Sequence, residues 1–281
     1  MYLQKRFYQG IGVLLVFAFL CRDFGAAIDH ATITEVVNDV SVLDPQSRHT
    51  TPAQTNGLFG TPDLMKTGAD SRSEMVAPDQ TITRVGANTL FSFEPKSRVV
   101  NLREGSVLFQ SPTGQGGGTI RTASATASVL GTTIIVVATK DGGFKLLVLE
   151  GTGRVQMPNG SHVILHGGQL LFIAPGATEP GPVRNFLLSD LVDTSRLVVG
   201  FKRPLPSWEK IRKQILEQDE EIAIGRLLVP TVVVGNIPDP NLRISQIQAL
   251  HVDFTPEPTP QPTPRQTRRR IVITSSSPFN R

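Results

Sequence analysis

Residues 66–112 read KTGADSRSEMVAPDQTITRVGANTLFSFEPKSRVVNLREGSVLFQSP, and residues 119–173, after a glycine-rich break, read TIRTASATASVLGTTIIVVATKDGGFKLLVLEGTGRVQMPNGSHVILHGGQLLFI. Short runs of Val, Ile, Leu, Phe and Thr alternate with polar residues and are broken at close intervals by Gly, Asn or Asp. That is the pattern of half-buried strands joined by tight turns. A phrase recurs around Gly105, Gly151 and Gly168: an apolar pair, a polar residue or two, glycine, and a second apolar pair. Each copy reads as strand, turn, strand, because such turns need a residue with positive φ, which glycine adopts without a Cβ penalty. Asp141-Gly142-Gly143 and Asn159-Gly160 are the strongest hairpin signals. The stretch lacks Trp and its charges are sparse, so stability is expected from stacked aliphatic faces. The fold class predicted is an all-β core, a sandwich or roll of short antiparallel strands, followed by a small α-containing C-terminal region.

The phrases TGADSRSEMVAPDQTITRVGANT, LREGSVLF, IRTASATASVLGTT, LLVLEGTGRV and LHGGQLL resemble the FecR domain, the extracytoplasmic module of iron-uptake signalling regulators and of many secreted bacterial proteins. Together they span nearly all of residues 66–173. Two departures stand out. Gln80 occupies a position where the family has Gly, and Ile134 and Ile135 follow the Gly-Thr where it has an aromatic. Gln80 suggests a type I turn in place of a glycine-dependent one.

The rest of the 281-residue chain divides by composition. Residues 1–27 have the three parts of a secretory signal: Lys5 and Arg6, an apolar run from Ile11 to Leu20, and the small residues Gly25-Ala26-Ala27. Cleavage after Ala27 would remove Cys21, the only cysteine, and with it any disulfide or thiol-metal chemistry. An uncleaved anchor is the alternative. Residues 28–174 form the predicted β-domain. Its first part, to Leu43, reads as one or two strands, and residues 44–62 as a loop. Residues 183–252 are predicted as a mixed, helical region after a Pro/Gly linker, with a short helix in residues 185–199 and a clear one in 208–224. Pro206-Ser207 supplies the stop and N-cap of the latter, and Gly225 ends it. A strand is expected at LLVPTVVV. Residues 253–281 carry a Thr/Pro repeat and an Arg cluster, and read as a disordered tail.

The formal charge of +4 is concentrated at the ends. With Lys5, Arg6 and Arg22 assigned to the leader and Arg265, Arg268, Arg269, Arg270 and Arg281 to the tail, the body is close to neutral, which argues against a nucleic-acid groove.

No catalytic constellation emerges. His162 and His166 are four apart, a spacing that separates them by roughly 13 Å on a strand, too far to share a metal. Gly114 to Gly118 lacks the Lys-Ser/Thr of a phosphate loop and reads as a flexible connection. Ser106 has no neighbouring histidine. Glu104 and Glu150 precede equivalent glycines and are explained by the repeated phrase without an acid/base role. No enzyme activity, cofactor or metal is therefore expected.

The amphipathic helix over residues 208–224 places Trp208, Ile211, Ile215 and Ile222 on one face, which must be covered by this chain or by a partner. The resemblance implies an exported, non-catalytic β-module that senses or relays an extracytoplasmic signal through contacts with an envelope or surface protein. The alternative is a structural module of the bacterial cell surface that holds a glycan or a matrix partner, against which the scarcity of aromatics counts.

Overall fold

A computed structural model describes residues 27–229. The described residues form seventeen strands and three helices. The first sheet runs in the order β4 (Leu58–Gly60), β1 (His30–Val37), β6 (Arg72–Val76), β7 (Ile82–Val85), β9 (Val99–Gln110), β12 (Thr133–Ala138), β13 (Phe144–Glu150), β16 (Gln169–Ile173) and β17 (Arg184–Asn185), every pair antiparallel. The second runs β3 (Thr50–Pro52), β2 (Val40–Leu43), β5 (Leu64–Thr67), β8 (Leu90–Phe93), β9, β10 (Gly118–Arg121), β11 (Thr126–Val129), β14 (Thr152–Gln156) and β15 (His162–His166). Within it β9 and β10 pair parallel.

One strand belongs to both sheets. Residues up to Glu104 of β9 pair with β8 and β10, and residues from Gly105 onward pair with β7 and β12. The crossing occurs at Gly105, whose φ is +95°. A Cβ there would lie 2.4 Å from the Thr89 Cα, so only glycine fits. The Ser106 amide then donates to Thr89 Oγ1 at 3.0 Å, and Thr67 Oγ1 donates to the Gly86 carbonyl at 2.6 Å.

The core lies between the sheets and contains Val107, Phe109, Ile134, Val136, Leu146 and Val148 among others. Phenylalanines anchor it as well as aliphatics: Phe59, Phe91 and Phe93 meet with ring centroids 5.2 to 5.8 Å apart. Phe59 comes from β4. Residues 44–62, predicted as a loop, therefore contribute two short strands, β3 and β4, too brief to show a period.

The central strands of the first sheet, β7, β12, β13 and the second half of β9, are buried on both faces. Leu108, Ile135, Leu147 and Leu170 alternate with the core residues and point outward, where the C-terminal segment covers them. Continuous apolar runs such as TIIVVA and FKLLVLE are what double burial demands. The cover consists of α1 (Leu188–Thr194), α2 (Arg196–Val199) and α3 (Trp208–Ala223). The single helix predicted over residues 185–199 is thus two helices parted by Ser195, whose extended backbone interrupts them. Residues 226–229 are not strand, and the rest of the predicted strand LLVPTVVV lies outside the described residues, as do most of the leader and the tail.

Two turn readings need correction. Gln80 has φ +67°, so it occupies the left-handed position that glycine would favour. The Gln80 amide donates to the Ala77 carbonyl at 2.9 Å, closing a turn around Pro78-Asp79 whose last residue bends into the strand. Gly117 and Gly118, read as part of a flexible connection, are buried, and a Cβ on Gly117 would sit 1.9 Å from the Val129 carbonyl oxygen.

Candidate functional site

The seam between the first sheet and its C-terminal cover concentrates the buried polar groups of the domain. β7 carries Arg84 on its outward face in the sequence ITRV, and the residue is completely buried. Its Nε donates to Glu74 Oε2 on β6 at 2.8 Å. Its two terminal nitrogens donate to the carbonyls of Leu197 at 3.1 Å, Val198 at 2.8 Å and Arg203 at 2.5 Å. The guanidinium also lies 4.5 Å from the centre of the Phe201 ring. Arg72 Nε adds a bond of 2.6 Å to the Gly200 carbonyl. The carbonyls of Leu197, Val198 and Gly200 lie at the C-terminal end of the short helix α2, where unpaired C=O groups collect, and the arginines satisfy them. Burial pushes the Arg84 pKa down, while Glu74 opposes that shift. The pair ties the β-domain to residues 197–203.

Beside this clasp opens a cleft of about 630 Å³. Val76, Ile82, Pro112, Pro204 and Pro206 give it apolar walls, and Gln110, Arg203, Ser207 and Lys210 bring polar groups to it. Gln110, at the end of β9, is only 5% exposed, and its Oε1 has no hydrogen-bond partner. Arg203 lies 3.6 Å from Glu74, and Lys210 Nζ donates to Thr113 Oγ1 at 3.0 Å. Ser207 stands at the N-cap of α3, but its hydroxyl meets Thr133 Oγ1 at 2.7 Å and makes no capping bond. Thr133 Oγ1 in turn donates to Glu150 Oε1 at 2.7 Å. Burial raises the Glu150 pKa, against the Thr133 bond and the Lys210 charge.

A third buried polar group, Lys145, lies in the same outer face. The register places Ser106, Val137, Lys145 and Phe172 in one row across β9, β12, β13 and β16. Lys145 is 3% exposed, its Nζ lies 5.2 Å from the Phe172 ring centre, and burial lowers its pKa to about 8.

Of the residues singled out from the helix pattern, Ile211 is fully buried against the sheet, Trp208 and Ile215 pack on the same cluster, and Ile222 is half-buried near the end of α3. The helix is fixed by Gln218, which accepts from the Leu188 amide at 2.9 Å and donates to the Phe186 carbonyl at 2.9 Å. Much of the predicted apolar face is therefore occupied by this chain's own sheet. His162 and His166 project, exposed, from edge strand β15. Among the described residues no cluster of His, Cys, Asp and Glu is arranged to hold a metal. Glu104 and Glu150 face opposite ends of β12, because Gly105 pairs with Ala138 and Glu150 with Thr133. That separation is roughly 17 Å, beyond the spacing of a glycosidase pair. Ser106 is buried beneath the cover with an unpartnered hydroxyl.

Sequence reasoning missed Arg84, Glu74, Gln110 and Lys145. Glu74 in RSEMV, Arg84 in ITRV and Gln110 at the end of its strand read as the solvent-facing half of alternating strands, whereas Lys145 interrupts the apolar run FKLLVLE and so had to be paired, hydrogen-bonded or left at a cost.

Comparison with known proteins places this geometry in context. Residues 63–155 match the family model described as FecR protein. No curated protein matches the chain. Two crystal structures of an anti-sigma factor candidate from Parabacteroides distasonis ATCC 8503 are similar. The 1.65 Å structure is 22% identical, with a TM-score of 0.39, over 43% of this chain and 59% of that one. The 2.50 Å structure is 20% identical, with a TM-score of 0.40, over 46% of this chain and 63% of that one. The chain thus spans about three fifths of the length of those structures.

Proposed function

We propose, from the FecR domain that the chain carries over residues 63–155, that the protein is a non-catalytic module that works outside the cytoplasm and relays a signal through protein contacts. The family match is the observation that carries this reading, and it supports a regulatory, signal-relaying role. The arrangement of the seam is compatible with it. The buried Arg84–Glu74 pair holds the C-terminal cover, and Glu104 and Glu150 stand too far apart to act as an acid/base pair. Export rests on the leader pattern of residues 1–27.

Two measurements test the proposal. Fractionation of cells expressing a tagged full-length chain should recover it from the envelope or the medium, with a mature N-terminus at or near Ile28. Deletion of the gene should alter transcription of a discrete set of genes under the inducing condition, restored by the wild-type chain. Recovery from the cytoplasm, or an unchanged transcript profile alongside loss of surface polymer, would replace signal relay with another role.

A further inference from the structure

The edge strands among the described residues are β4 and β17 in the first sheet and β3 and β15 in the second. An open edge invites pairing with another chain unless it is short or carries proline or charge. β4 has three residues and β17 two, and β3 has three and ends in Pro52. β15, with the sequence HVILH, has neither proline nor a Lys, Arg, Asp or Glu, and it pairs with β14 alone. The bonds at its two ends define its free side. The Met157 amide donates to the Ser161 carbonyl and the Gly167 amide to the Gly151 carbonyl, so by alternation Val163 and Leu165 turn their backbone groups to β14, while His162, Ile164 and His166 turn theirs away. Gln169 Oε1 takes the His166 amide at 2.9 Å. The chain returning from β16 bonds to Asn159 at the hairpin tip and to Phe172, not to β15. Leu165 is buried and Val163 packs on the core, whereas Ile164, on the outer face, is 53% exposed.

We infer that β15 is the surface through which a second copy of this chain docks, edge to edge and antiparallel, about a two-fold axis at Ile164. The strand has the same order from either end: histidine, aliphatic, Ile164, aliphatic, histidine. A reversed copy therefore sets Ile164 on Ile164, Val163 on Leu165 and His162 on His166, the self-complementarity that an isologous contact requires. In this register the outward groups meet. The Ile164 residues exchange N–H···O bonds in both directions, and each His162 amide reaches the His166 carbonyl of the second copy. The exposed Ile164 side chains cover each other. Arg154, beside Ile164 on β14, lies three strand spacings from its counterpart, roughly 14 Å, where salt screens the repulsion. A foreign strand would satisfy the backbone but not this symmetry. One strand pair is a small interface, so the association is weak and concentration-dependent. It stands independently of the signal-relay reading.

The test is sedimentation velocity of the full chain in a Cys21→Ser background, which leaves no thiol. The protein should pass from monomer to dimer as its concentration rises through the micromolar range. Ile164→Lys should weaken the dimer at least tenfold without lowering the melting temperature. Leu58→Lys, at a more exposed apolar residue on β4, should leave it unchanged. Oxidation then reads the register. Ile164→Cys should cross-link to itself, because directly paired Cα atoms lie about 5.5 Å apart, within disulfide reach. His162→Cys and His166→Cys should not cross-link singly, but should do so when mixed. A chain that stays monomeric overturns the proposal, as does a dimer that Ile164→Lys leaves intact or that Leu58→Lys weakens equally. Failure of Ile164→Cys to cross-link, or cross-linking of His162→Cys to itself, overturns it independently of how the lysine variant folds.

Discussion

Replacing Lys145 by methionine is expected to stabilise the protein. The ammonium lies on the outer face of β13 under the C-terminal cover, and its pKa falls to about 8 from 10.5 because burial removes its hydration. At pH 7 the lysine is protonated in both states, so the folded protein bears the full cost of about 3 kcal/mol, at 1.36 kcal/mol per unit. The Phe172 ring, 5.2 Å from Nζ, returns about 1–2 kcal/mol of that. Methionine keeps the unbranched length and the ring contact without the charge. The net gain is therefore about 1–2 kcal/mol, or roughly 2–8 °C in Tm for a domain of this size. The pH dependence is the sharper observable. Because the folded pKa of the lysine is depressed, its penalty is complete below pH 8 and fades as pH rises through 8 toward 10.5. Denaturant melts of wild type and Lys145→Met at pH 6, 7, 8, 9 and 10 should show a difference that shrinks across this range. A difference that stays constant with pH, or a variant less stable than wild type at pH 7, would refute the desolvation argument.

Four further outcomes follow from the same structure. Gly117→Val should destabilise more than Gly151→Val, since a Cβ at Gly117 meets a backbone carbonyl at 1.9 Å while at Gly151 it meets the Thr132 hydroxyl at 2.8 Å; thermal melts of the two variants decide. Gln80→Gly should raise stability by about 0.5–1 kcal/mol by relieving a left-handed residue at φ +67°, seen as a higher urea midpoint with unchanged slope. Arg84→Met strands the buried Glu74 carboxylate and should cost about 3–5 kcal/mol, with new protease cleavage in residues 197–203 preceding global unfolding. Glu150→Gln keeps an acceptor for Thr133 and removes a charge whose pKa burial has raised; the acid's stabilising protonated form is lost as pH rises, so the variant should gain on wild type at pH 7 and the gain should vanish by pH 4.

The strands with clear alternation and glycine turns were legible in the sequence, because period-two patterning and positive φ are local properties. β1, β2 and the hairpins at Gly142 and Gly160 appear where the pattern puts them. So does the helix from Trp208 to Ala223, whose apolar stripe is likewise local. The short strands β3 and β4 were not legible: three residues cannot display a period, and their pairing partners lie elsewhere in the chain. Gln80 misled because a polar side chain at a left-handed turn position is indistinguishable in sequence from one in an ordinary turn. The candidate site was hidden for a related reason. Arg84 and Gln110 look like the polar half of alternating strands, and only the cover formed by residues 186–211 turns that half inward.

The passage of β9 from one sheet to the other has a kinetic consequence. Neither layer possesses a complete central strand of its own, so nucleating one layer fixes half of the other's template, and the two halves of the sandwich cannot melt in separate steps without breaking the strand at Gly105. Amide hydrogen exchange of Leu102 and Leu108, on opposite sides of that glycine, should accordingly report one shared opening free energy, as for a single cooperative unit.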